Sequence, residues 1–276
     1  MSEKQKIMIA GAALFAALLL FSGVMLCREI KDSQQSAQAF ETLAKLVVDK
    51  PKLDIQLDGE ASRPEDKPSA DEPAPEITAA EKYAAIHEKN NDFVGWLRIE
   101  DTNINYPVMQ STDNPNFYLK HNFDKEYSNY GVPYVQENCE LGVSDNTIIY
   151  GHHMDDGSMF ADLCKYESED FYREHKTIQF DTMDGFGKYE VVAVFKTVAY
   201  SNEGFPYFLF VKADKPEDFD DFIAKCKELA LYDTGVTAEY GDKLITLSTC
   251  EYSRDNGRMV IVAKKTESAP EVGGDA

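Results

Sequence analysis

Residues 7–27, IMIAGAALFAALLLFSGVMLC, carry no charged side chain and no proline. Coiled as a helix at 1.5 Å per residue, such a run is about 30 Å long, the thickness of a bilayer's hydrocarbon core. It is expected to cross a membrane. No small-x-small cleavage signal closes the run, because Val24-Met25-Leu26-Cys27 leads directly into Arg28. That predicts a retained anchor rather than a removed signal peptide. Lys4 and Lys6 precede the span, while Arg28, Glu29, Lys31 and Asp32 follow it with mixed sign. The positive-inside rule then places residues 1–6 in the cytoplasm and the bulk of the chain outside, as a single-pass protein of the cell membrane.

Beyond the span the pattern changes twice. Residues 28–50 are polar, with Phe40, Leu43, Leu46 and Val47 at helical spacing, and predict a helix continuing from the membrane as a stalk. Residues 51–78 set five prolines among Asp, Glu, Ser and Ala, a composition that favours extended, unpacked backbone. The segment 28–78 therefore reads as extracytoplasmic stalk and linker. A folded domain is expected over 79–265, opening with a short helix to residue 90. The small, acidic, Gly-rich tail 266–276 is expected to be disordered.

Inside the domain short β-type runs dominate: VGWLRI at 94–99, TIIY at 147–150, TIQF at 177–180, then longer ones at 189–198 and 244–250, and MVIVA at 259–263. They predict a mainly β domain, a barrel or a sandwich. Two helices interrupt it, at 158–166 and at 216–232. The second has Pro216 at its start and Phe219, Phe222, Ile223, Cys226 and Leu229 along one face. The chain shows no internal repeat.

With 49 acidic against 28 basic side chains the formal net charge is -21, which argues against a nucleic-acid partner, since binding a phosphate backbone needs clustered Lys and Arg. The five cysteines, at 27, 139, 164, 226 and 250, form no C-x-x-C pair and suggest neither a zinc knuckle nor a disulfide scaffold. Cys139, Cys164 and Cys226 read as reduced packing residues.

Cys250 stands apart. It ends the strand LITLSTC, and the chain then turns polar through EYSRDNG before Arg258 opens the returning strand. A thiol there is held by a rigid element yet reachable, and a guanidinium beside it can stabilise a thiolate or an oxyanion. Taken alone, a cysteine at a strand end is more often a small buried hydrophobe. The strand TIIY likewise ends in Gly151-His152-His153, where an imidazole can act as acid and base for a thiol. Paired histidines also raise a zinc reading, which is weaker because no helical His-x-x-x-His spacing and no placed carboxylate supply the third ligand. His87, His121 and His175 have no recognisable companions.

Together TLSTC, the Arg258 that follows eight positions later, IIYGHHM, VGWLRIEDTNINYPVMQ and DNPNFYLKHNF resemble the sortases, specifically class B, over residues 91–264. The helix at 216–232 is similar to the extra helix that marks this class. The resemblance implies an eight-stranded β-barrel-like fold with Cys250 as nucleophile, His152 as general acid and base, and Arg258 as substrate and oxyanion contact. By position in the same motifs it implies a substrate groove that includes Tyr150, Ser248, Thr249 and Glu251. If the strand TIIY continued through the two histidines, its alternating faces would keep His153 from pointing where His152 points. The implied activity is transpeptidation. A surface protein is cut after the Thr of a C-terminal sorting motif of the NPxTN or LPxTG type and passed through a thioester to an amine, from a cell-wall precursor or another protein. This chemistry requires no metal and no organic cofactor. A pilus-polymerising sortase shares every catalytic residue, and a silent envelope-binding module on the same barrel is the rival from another class.

Overall fold

A computed structural model describes residues 2–47, 77–199 and 203–266. Most of the expected linker and the tail past residue 266 lie outside the described residues. Helix α1 (Glu3–Ala44) is followed by α2 (Ala79–Lys89). Then come β1 (Phe93–Arg98), β2 (Asn105–Met109), β3 (Tyr134–Val135), β4 (Asn146–Tyr150), α3 (Glu169–Glu174), β5 (Thr177–Thr182), β6 (Lys188–Val198), α4 (Pro216–Leu229), β7 (Leu244–Cys250) and β8 (Gly257–Thr266). The eight strands close into one barrel in the order β1-β2-β3-β4-β7-β8-β6-β5. Two neighbours run parallel, β2 with β3 and β4 with β7; the other pairs are antiparallel.

The long strands read as continuous apolar runs because they are covered on both faces. Residues 191–195 of β6 and 259–263 of β8 are all buried, as expected where a helix closes the outside of a barrel wall. That helix is α4. Its Phe219, Phe222, Ile223 and Cys226 are buried, and Phe210 stacks on Phe222 with centroids 4.1 Å apart. Pro216 in its first turn fits there, where an N–H has no intrahelical partner to lose.

Three elements depart from the sequence expectation. Instead of a helix over 158–166, a 3-10 turn spans Ala161–Glu167 and α3 restarts after Ser168, whose hydroxyl accepts from the Phe171 N–H. The amide of Phe160 bonds the His152 carbonyl at 2.7 Å, which ties this segment to the end of β4 before any helix can form. Strands β2 and β3 carry too little pattern to read: β2 contains Pro107, and β3 is two residues long.

The two N-terminal helices pack on the barrel. At α2, Thr78 and Glu81 form a reciprocal capping box, and Tyr83 stacks on Trp96. The Tyr83 hydroxyl donates to Asp181 at 2.7 Å, and Asp181 is 1% exposed. The apolar spacing seen in 40–47 is the face that α1 lays against the barrel: Phe40 and Leu43 are buried, and the Phe40 ring meets Tyr106 edge-on at 5.0 Å.

Removing the hydroxyl in Tyr83→Phe leaves a buried carboxylate short of a donor. Asp181 keeps Gln179, Gly187 and Lys82 as partners, so urea unfolding should show a loss of about 1.5–3 kcal/mol, the usual worth of one hydrogen bond to a charged group.

Candidate active site

Backbone register brings the chemistry together. Parallel pairing of β4 with β7 sets Tyr150 opposite Ser248. Two residues further along each chain stand His152 and Cys250. On the other side of β7, antiparallel pairing makes Arg258 the direct cross-strand partner of Cys250. The register thus sets Cys250 and Arg258 side by side and leads His152 to the same end of the barrel, each at or just past a strand terminus. Cys250 and Arg258 are half-buried.

His152 is oriented by a backbone carbonyl. Its Nε2 lies 2.7 Å from the Leu119 oxygen, and since a carbonyl only accepts, Nε2 carries the proton and Nδ1 is left as the basic nitrogen. Burial holds the His152 pKa below the usual histidine value, with nearby Lys120 acting in the same direction and the Leu119 bond opposing both. Leu119 closes a 3-10 turn over Phe117–Leu119, inside the DNPNFYLKHNF segment. The sequence held that motif without disclosing what it does.

His153 faces elsewhere. Its Nδ1 donates to the Cys250 carbonyl at 3.1 Å and lies 3.3 Å from Cys164 Sγ, and Tyr252 donates its hydroxyl to the His153 carbonyl at 3.1 Å. The strand ends at Tyr150, and beyond it the two imidazoles part. His152 reaches the Leu119 turn, and His153 braces the peptide of Cys250. Thr249 adds a third tie, its hydroxyl donating to the Gly151 carbonyl at 2.9 Å. Gly151 has no room for a side chain, because a Cβ there would lie 2.6 Å from the Phe160 ring.

Ser248 is buried with its hydroxyl 2.6 Å from that of Tyr207, and Thr249 is buried as well. Half-buried Tyr150 donates to Gln136, whose amide donates to the Phe208 carbonyl, so the loop after β6 is tied to β4. Glu251 is buried. It accepts from the Ser253 N–H and hydroxyl and from Lys196, which also pairs with Glu167. Burial opposes its ionisation, yet these bonds and the Lys196 charge hold its carboxyl below the usual value. Gly257 packs so closely on Glu251 that a side chain would overlap it. Glu251 thereby shapes the turn that returns the chain to Arg258. Sequence reasoning did not find Leu119, Gln136, Lys196, Tyr207 or Tyr252, because nothing in their local pattern marks a contact made across the barrel.

Three other thiols of the barrel domain are held by burial. Burial pushes Cys139 and Cys164 up to about 11 and Cys226 higher still, so all three stay protonated at neutral pH. Among the described residues no cluster of three or more His, Cys, Asp or Glu is placed to hold a metal ion.

A thiol, an imidazole and a guanidinium at the rim of a closed mixed barrel are the parts of a cysteine transpeptidase. A family model described as the sortase domain matches residues 97–266. Sortase B of Listeria monocytogenes is 41% identical over 186 residues, covering 65% of this chain and 72% of that protein. Sortase B of Staphylococcus aureus is 33% identical over 186 residues, covering 66% and 74%. The crystal structure of sortase B from B. anthracis superposes with a TM-score of 0.69 at 27% identity, covering 87% of this chain and all of that one. The Staphylococcus aureus sortase B-substrate complex gives 0.62 at 32% identity, covering 68% and 86%. The chain belongs to the sortase family and is a class B cysteine transpeptidase.

If His153 braces the Cys250 peptide through its N–H, His153→Ala should lower kcat roughly 2–10-fold, equivalent to about 0.5–1.5 kcal/mol for one net hydrogen bond. His153→Asn, which keeps a donor at a similar reach, should retain most of the rate in the same peptide-transfer assay.

Proposed function

We propose that Cys250, His152 and Arg258 carry the reaction, and that the protein is anchored in the cell membrane by residues 7–27 with its barrel on the outer side. One observation carries this reading above the others: the register sets Arg258 opposite Cys250, while the strand parallel to β7 delivers His152 to the same end.

In this scheme Nδ1 of His152 takes the proton of the Cys250 thiol, and the resulting thiolate attacks the carbonyl carbon of the Thr in a sorting motif. The oxygen becomes negative in the tetrahedral intermediate, and Arg258, whose Nη1 donates to the Gly257 carbonyl at 2.9 Å while the rest of its guanidinium has no acidic partner among the described residues, holds that charge. Collapse breaks the C–N bond, His152 delivers a proton from Nδ1 to the departing amine, and a thioester remains on Cys250. A second amine, of a cell-wall precursor or another protein, loses a proton to His152 as it attacks the thioester. A new amide forms and the thiol is restored. Leu119 keeps the working nitrogen on the correct side of the ring throughout.

The substrate peptide is expected to lie along the groove bounded by Tyr150 and the strand end at 248–251. The internal bonds of Ser248, Thr249 and Glu251 support a part in shaping the groove wall, with Tyr150 the most accessible of the four. A motif of the NPxTN or LPxTG type is the expected substrate, and surface proteins bearing it are the expected partners. The apolar helix beginning at Glu3 supports the membrane reading: its apolar window has a mean hydropathy of 2.4 and none of it is buried against protein. A tether to the surface that holds both substrates raises their effective concentration.

The test is turnover of fluorescence-quenched NPxTN- and LPxTG-type peptides, with and without an amine acceptor. Cleavage of one motif and a ligated product with amine are expected, and both should vanish in Cys250→Ala. Arg258→Lys should lower kcat/KM by about 10²–10³-fold, the usual loss for one oxyanion contact. Retained turnover in Cys250→Ala would overturn the assignment.

A pH profile checks His152 separately. Because its pKa is lowered, the imidazole stays neutral into more acidic solution than usual, and the acidic limb of kcat/KM should fall below the ordinary histidine value of about 6.5. A limb above that value would count against His152 as the base.

A further inference from the structure

Helix α1 runs unbroken from Glu3 to Ala44, so the apolar run 7–27 and the segment docked on the barrel belong to one rod. The docked end is fixed by packing at Phe40 and Leu43. The part nearest the span is fixed by polar contacts. Asp32 accepts from the Ser128 hydroxyl at 3.3 Å and from the Asn129 N–H at 3.2 Å. Ser33 donates to Asp156 at 2.8 Å, and Asp156 also accepts from Tyr130 at 2.7 Å. With no hinge between span and barrel, the height of each contact above the bilayer can be read from the helix rise.

Asp32 and Ser33 follow Cys27 by five and six residues, so they sit about 8–9 Å beyond the hydrocarbon edge at 1.5 Å per residue. The headgroup layer on each side is roughly 5–8 Å deep. The two loops that hold Asp32 and Ser33 are therefore carried to the surface of that layer. The first presents Tyr127, 70% exposed, among exposed side chains of both signs, Lys120, Asp124, Glu126 and Lys125, the last paired with Asp92. An amphipathic ring set among mixed charges suits the zwitterionic headgroup and glycerol region. The second, running through Asp155 and Asp156, directly follows His153.

The geometry points to a lipid-facing side of the barrel: the loop around Tyr127 and the loop after His153 rest on the headgroups of the outer leaflet, and the rim bearing Cys250 is held beside the membrane rather than raised above it. The inference rests on the membrane-anchor reading. It adds a fixed orientation that a flexible stalk would not supply.

The experiment uses the full chain in bilayer nanodiscs whose lipids carry a nitroxide on the headgroup. Tyr127→Trp and, independently, Asn129→Trp report from the proposed face. Glu228→Trp reports from α4, which packs on β6 across the barrel from β2, where α1 lies. Quenching is measured against the parent protein, whose single tryptophan, Trp96, is buried. The proposal expects several-fold stronger quenching at 127 and 129 than at 228. Equal quenching at the three positions, or stronger quenching at 228, overturns the lipid-facing side. Co-flotation with vesicles is scored in parallel: a chain that floats but shows equal quenching sinks the orientation alone, and a chain that does not float sinks the anchor and the orientation with it.

Discussion

Everything at the rim depends on β7 being paired on both sides, parallel to β4 and antiparallel to β8. Backbone hydrogen bonds fix register to the residue, and a slip of one position would turn every side chain on the strand to the opposite face. With Ser248 held against Tyr150, the strand ends fall where His152, Cys250 and Arg258 must be. Both faces of β7 are buried, and its buried polar positions add specificity to that register: Thr246 donates to Asn146 and Ser248 meets Tyr207. The geometry of the proposed site is therefore a consequence of strand pairing and core packing, and the thiol needs no dedicated scaffold of its own.

Around that register lies a shell of bonds to backbone carbonyls. His152 is oriented by the carbonyl of Leu119, His153 and Cys164 reach that of Cys250, and Thr249 holds that of Gly151. A carbonyl cannot rotate away as a side chain can, so such partners hold an imidazole in one tautomer and one plane at little conformational cost. Glu251 does the equivalent on the far side, where a buried carboxylate with Ser253 and Lys196 as partners sets the path from Cys250 back to Arg258.

The sequence displayed the parts of this site that are local. Cys250 at the end of an apolar strand, a histidine pair at the end of another and Arg258 at the start of a third were legible because strand-to-loop transitions are visible in hydropathy. The helix over 216–229 was legible from its 3.6-residue period. Leu119 and Lys196 were not, since one acts through its main chain and the other through Glu251 in the turn after β7 and Glu167 in the 3-10 turn, both far away in sequence. Strand β2 was hidden by Pro107, whose missing N–H argues against a strand until the neighbouring pairings are known. The expected helix over 158–166 was overridden by the tie between Phe160 and His152, a tertiary contact that no local propensity encodes.

The site joins parts of the chain that are made at different times. His153 and the Cys250 carbonyl it holds are 97 residues apart, and the last strand, β8, both closes the barrel and brings Arg258. Contacts of such long sequence separation form late. A chain that emerges N-terminal end first presents its histidines well before its thiol has a partner strand. The proposed site is then incomplete until β8 has joined the barrel, and a chain interrupted before that strand would be inert toward neighbouring peptide bonds.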